Sequence, residues 1–87
     1  MSHNSSKDLI WSVKFVESAH SDLKKLDKDA FHHITQYIAE RLIGPEDPKR
    51  FGKPLSGELK GLWRYRVGDY RLICHIQDKN VIVLVLK

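Results

Sequence analysis

The chain has 87 residues, 41% of them hydrophobic, which is enough for one modest core and excludes a second. Fifteen Lys and Arg against eleven Asp and Glu give a formal charge of +4, a bias toward polyanionic partners that identifies none by itself. A single cysteine, Cys74, excludes an internal disulfide and a cysteine-based zinc site, and no apolar run reaches the roughly 18 residues of a membrane span. A soluble protein of a reducing, cytoplasmic compartment is expected.

Residues 1–9, MSHNSSKDL, carry no apolar run, so a flexible start is expected before a single domain over residues 10–87. In Ile10 to Phe15, Trp11, Val13 and Phe15 alternate with Ser12 and Lys14, the pattern of a half-buried strand. Ala19, Leu23 and Leu26 then follow helical spacing, with Ser18 as the expected N-cap. A second helix is predicted from about 29 to 43, with Ala30, Ile34, Ile38 and Leu42 on one stripe and Tyr37 and Arg41 beside it. The short junction at 26–29 makes the two helices an antiparallel hairpin.

Gly44-Pro45 stops the second helix, and GPEDPKRFGKP reads as a loop. From Leu59 onward the period becomes two. Strands are predicted at about 62–67, 70–77 and 81–86, separated by tight turns at Gly68-Asp69 and Asp78-Lys79, with Gly68 supplying the positive φ of a type II′ turn. The expected fold is α+β, in the order β-α-α-β-β-β, an antiparallel sheet packed on a helical hairpin.

A two-residue turn at Gly68-Asp69 sets Val67 opposite Tyr70, which places Arg66 opposite Arg71 and Arg64 opposite Ile73. Trp63, Tyr65, Val67, Tyr70, Leu72, Cys74 and Ile76 then share the core face, and Arg64, Arg66, Arg71 and His75 share the other. Like charges set directly opposite on a sheet repel, so such a face suits an anion. Three arginines and a histidine without a carboxylate offer planar forks for phosphate oxygens. Lys49, Arg50, Lys53 and Lys60, which precede the strands, extend the positive surface along a nucleic-acid backbone. Nucleic acid is the most economical polyanion for this face.

Other signals carry less. His32 and His33 point about 100° apart on a helix and, with His20, lack the spacing of a metal site, so no metal or cofactor is expected. Cys74 reads as a small buried hydrophobe and Trp11 and Trp63 as core residues. No phosphate-cradling glycine loop and no Ser-His-Asp or paired-carboxylate arrangement is present.

The segment KPLSGELKGLWRYRVGDYRLICHIQDKNVIVLVLK, preceded by a strand and two helices, resembles the RelE branch of the RelE/ParE superfamily of bacterial type II toxins. The resemblance runs from about Trp11 onward, and PLSGELKGLWRYRVGDYR is its most specific part. It implies a microbial RNase-like fold and a metal-independent endoribonuclease that cuts messenger RNA at the ribosome and is held inactive by a RelB-like antitoxin. The chemistry so implied is attack of a ribose 2′-OH on the adjacent phosphate, which needs cations at the phosphorane-like transition state. By matching position, Arg71 is expected to stabilise that charge, while Arg64 and Arg66 bind phosphate, one of them assisting proton transfer. His75 shares the face but is expected to pack between Leu62 and Ile82. Relatives usually continue past the last strand into a V-G-[HK]-R-like turn and a segment ending in tyrosine; this sequence ends at Lys87, and a weakened activity is expected. Exposed Ile73, Leu84 and Leu86 beside the arginines would suit an acidic, amphipathic antitoxin segment in a toxin–antitoxin hetero-oligomer. The alternatives are a non-catalytic form that only binds antitoxin or RNA, and a ParE-like inhibitor of DNA gyrase.

Overall fold

The computed structural model describes residues 10–87, so the expected flexible segment at 1–9 lies outside the described residues. Alternation at the start produces β1 (Ser12–Phe15), in which Val13 and Phe15 pack against the core and Ser12 and Lys14 are exposed. Helix α1 (Glu17–Lys24) follows at once and buries Ala19 and Leu23. Its N-cap is Val16, which offers no side-chain acceptor; Ser18 lies inside the first turn rather than capping it, and Glu17 supplies the negative charge that favours this end.

Helix α2 (Lys28–Tyr37) is capped by Asp27, whose carboxylate accepts from the Ala30 N–H at 2.8 Å. The helix continues as one widened π turn, Ile38–Leu42, closed by the Ile43 N–H on the Ile38 carbonyl at 3.1 Å. The apolar stripe repeats every fourth residue, which overshoots the 3.6-residue turn of an α-helix and would carry Leu42 away from the core. The wider turn takes up the excess, and Ile34, Ile38 and Leu42 are buried together.

The predicted loop holds a 3₁₀ turn at Pro48–Phe51 and then a two-residue strand, β2 (Lys53–Pro54). Pro54 has no N–H for a ladder, which suits a sheet edge. After a further 3₁₀ turn at Gly57–Leu59 come β3 (Trp63–Val67), β4 (Tyr70–Gln77) and β5 (Asn80–Leu86). Gly68 takes φ +59° as foreseen, and Asp78 and Lys79, at +52° and +65°, give the second turn the type I′ pattern.

The sheet order is β1-β5-β4-β3-β2. The predicted antiparallel meander is present. Strand β1 joins it parallel to β5, since both helices and the rest of the meander intervene as a crossover, and the five-stranded sheet is therefore mixed. Helix α1 packs on β5 and β1 and α2 on β3, on the face that carries Tyr65, Val67, Leu72, Cys74, Val81 and Val83. No helix among the described residues is long and apolar enough to cross a membrane.

One irregularity changes what the last strand displays. Cys74 pairs with Val83 but Ile73 pairs with Val85, so Leu84 is an extra residue, a β-bulge. Unbroken alternation would have exposed Leu86 and buried Val85. Instead Leu86 is 3% exposed, in the core, and Val85 is 37% exposed beside Ile73. The apolar group expected at Leu86 on the open face is thus supplied by Val85.

Tyr65 anchors the preceding loop. Its ring is fully buried and its hydroxyl donates to the Pro48 carbonyl at 2.9 Å. Gly52 runs across that ring so closely that a Cβ there would lie 2.8 Å from a ring carbon.

Candidate nucleic-acid interface

The β3–β4 register is the one that parity dictates. Arg66 pairs with Arg71, Arg64 with Ile73 and Val67 with Tyr70. Tyr65, Val67, Leu72 and Cys74 are buried on the helix side, which turns Arg64, Arg66, Arg71 and His75 to the open side. The backbone N–H and carbonyl of Arg71 both bond to Lys87, at 2.7 and 3.1 Å. In an antiparallel ladder a residue that spends both groups on one neighbour meets the other neighbour as a non-hydrogen-bonded partner. Arg66 and Arg71 are therefore the close type of pair, with Cα atoms about 4.5 Å apart.

Lys87 completes this row. With Leu86 turned into the core by the bulge, Lys87 lies on the same face as Arg71, and the row reads Arg66, Arg71, Lys87. The next row of that face holds Lys53, Arg64, Ile73 and Val85, since Lys53 pairs with Arg64 across β2 and β3. Phe51, Lys53, Arg64 and Arg66 together line a shallow pocket of about 150 Å³. Among the described residues the one ion pair joins Arg50 to Glu46, so none of the cations in these two rows has a carboxylate partner there.

Residues 13–87 match the family model described as the ParE toxin of type II toxin–antitoxin systems, parDE. The chain belongs to this toxin family. Among relatives, Toxin RelG of Mycobacterium tuberculosis is 34% identical over 77 residues, covering 88% of this chain and 86% of RelG. Toxin RelE of the same organism is 36% identical over 75 residues, covering 84% of this chain and 73% of RelE. Among solved structures, the toxin–antitoxin complex RelBE2, also from Mycobacterium tuberculosis, superposes with a TM-score of 0.78 at 29% identity over 91% of each chain. The resemblance read from PLSGELKGLWRYRVGDYR is borne out: this is a type II toxin of the RelE/ParE superfamily.

The toxin's other basic residues do not all gather on the open face. Lys49 reaches the helix side of the sheet, where its ammonium lies 5.8 Å from the Trp63 ring centroid. Arg50 is held by Glu46 and stacks on Phe51 at 5.4 Å. Lys60 is exposed in the segment that leads into β3, outside the two rows. His75 is exposed on the open face opposite Ile82, but it stands four residues from Arg71, about 13 Å along β4, too far to serve the same phosphate. Lys87 was not among the residues that sequence reasoning selected, because only the bulge turns it outward.

Two buried acids in the toxin are structural. Desolvation pushes the Cys74 thiol up to about 12, so it stays protonated and unreactive. Burial likewise raises Tyr65, with smaller contributions from Cys74, Tyr37 and Asp47. Tyr37 is raised by burial, opposed by the Arg41 guanidinium, which lies 5.4 Å from the Tyr37 ring and 5.6 Å from that of Phe51. Among the described residues no three His, Cys, Asp or Glu side chains are gathered as a metal site would need. The open face thus offers dense cationic donors, suited to holding phosphate and to stabilising charge that grows on it.

Proposed function

We propose that this toxin is a metal-independent endoribonuclease that cuts messenger RNA at the ribosome. The row Arg66, Arg71, Lys87, without a carboxylate partner on an open sheet face, carries the reading. In the reaction the ribose 2′ oxygen bonds to phosphorus and the bond from phosphorus to the 5′ oxygen breaks. The 2′ proton leaves, the 5′ oxygen gains one, and a 2′,3′-cyclic phosphate and a 5′-OH result. Arg71, at the centre of the row, stabilises the additional negative charge, and Arg66 and Arg64 bind backbone phosphate and orient the RNA. Guanidinium groups are donors without an acceptor, so removal of the 2′ proton falls to another group.

We also assign the toxin an acidic, RelB-like antitoxin as its inhibitor. The open face combines unpaired cations with the partly exposed Ile73, Leu84 and Val85, a surface that an acidic amphipathic segment would neutralise and cover. RelBE2, the structural neighbour, is itself a toxin–antitoxin complex.

The test is to programme ribosomes with a defined message, add the toxin and map new 5′-OH ends. Cleavage that disappears in Arg71→Ala supports the reading; gyrase poisoning with no RNA cut overturns it. For the antitoxin, co-expression with the acidic product of a neighbouring gene should give one hetero-oligomeric peak, and separate elution would refute the pairing.

A further inference from the structure

The two rows of the open face lie two residues apart along β3, about 6.7 Å, a step comparable to that between successive phosphates of a single strand. The first row is positive throughout, at Arg66, Arg71 and Lys87. The second is positive only at its β2 end, where Lys53 and Arg64 are direct partners, and it continues into the apolar Ile73 and Val85.

We infer that Lys53 and Arg64 hold a second, unreacting phosphate of the message, next to the one that is cut. This rests on the RNA-cleavage reading and adds a positioning site to it. The pocket at this end, lined by Phe51, Lys53, Arg64 and Arg66, has a volume of about 150 Å³. That is room for a phosphate group but well under the roughly 300 Å³ at which pockets begin to hold whole drug-sized ligands. Arg64 is partly buried there, which strengthens a charge-assisted hydrogen bond relative to a fully exposed one.

The pocket is anchored. The Tyr65 hydroxyl fixes Pro48, and Gly52 lies against the Tyr65 ring, so the segment that delivers Phe51 and Lys53 is tied to the strand that carries Arg64 and Arg66. Tyr65 points inward between the two outward arginines, and one strand thereby sets both the anchor and the cations. Arg66 belongs to both the pocket and the first row, which joins the two phosphate positions into one track. A contact to a phosphate that does not react adds binding that is equal in ground and transition states, so its loss appears in KM and not in kcat.

The experiment uses ribosomes programmed with synthetic messages in which one linkage, immediately 5′ or immediately 3′ to the cut, is a neutral methylphosphonate. With wild-type toxin, one of the two should raise KM by about tenfold, the scale of a lost charged hydrogen bond, with kcat held. Lys53→Gln on the unmodified message should give the same change, and the two together should cost no more than either alone. Lys53→Arg should restore KM. Lys53 is exposed on a two-residue edge strand, so the Lys53→Gln midpoint of thermal unfolding should match wild type. Effects that multiply, neither flanking linkage mattering, or a fall in kcat for Lys53→Gln would overturn the second site while leaving cleavage established. Absence of any cut by the wild type would bring down both.

Discussion

Arg66 and Arg71 confront each other across β3 and β4 as a close, non-hydrogen-bonded pair, and the backbone of Arg71 is committed on its other side to Lys87. Like charges at such a position cost stability, which a charge reversal would recover. Arg66→Glu should therefore raise stability by a few tenths to about 1 kcal/mol in urea unfolding. The same variant should lose RNA binding. A toxin in which both properties fall together would show that the pair is not repulsive in the folded state.

Lys87 should behave as a phosphate ligand. Lys87→Gln is expected to lower the slope of log binding constant against log salt for single-stranded RNA by about one, without changing the unfolding midpoint. An unchanged slope would remove Lys87 from the row.

The Tyr65 anchor should be costly to disturb. Tyr65→Phe strands the Pro48 carbonyl without its donor and should cost about 1–3 kcal/mol in urea unfolding. Gly52→Ala forces a methyl group against the Tyr65 ring and should cost a similar amount, roughly 1–3 kcal/mol. Wild-type midpoints in both variants would show that the loop is held elsewhere.

Alkali should expose the buried acids. Cys74 and Tyr65 both have a higher pKa folded than unfolded, because burial favours their neutral forms. Their contribution is fully present below the unfolded values, about 9 and 10, and is lost as pH rises toward the folded ones. Urea midpoints should be level up to about pH 8.5 and then fall toward pH 12, less steeply in Cys74→Ala. A thiol reagent at pH 8 should label Cys74 only on unfolding; rapid labelling of the native toxin would contradict its burial.

The sequence disclosed the meander and its cationic face because both depend on local rules. Gly68 permits only a few turns, the turn length sets the pairing of Arg66 with Arg71, and strand parity does the rest. What escaped it depends on distant partners. The parallel seat of β1 beside β5 is decided by packing across most of the chain. The clasp of Tyr65 on Pro48 spans 17 residues, and nothing in PKRFGK announces that Lys49 leaves for Trp63 while Lys53 stays with Arg64. The N-cap at Val16 prevailed over the better capping residue, Ser18, because the chain turns directly from strand into helix. The bulge has no signature in VIVLVLK, whose residues suit either face.

That bulge makes the end of β5 tolerant at one position, in length as well as in composition. Leu84 is neither a core residue nor a cation, and the ladder passes it by, from Val83 to Val85. Many side chains at 84 should therefore be tolerated, and removing that residue would straighten the strand while leaving Leu86 inward and Lys87 beside Arg71, since the ladder already pairs as though 84 were absent. In a library of toxin variants, substitutions at 84 and its deletion should both survive as active clones; loss of every clone that lacks 84 would show that the bulge itself, beyond the faces that it sets, shapes the cationic row.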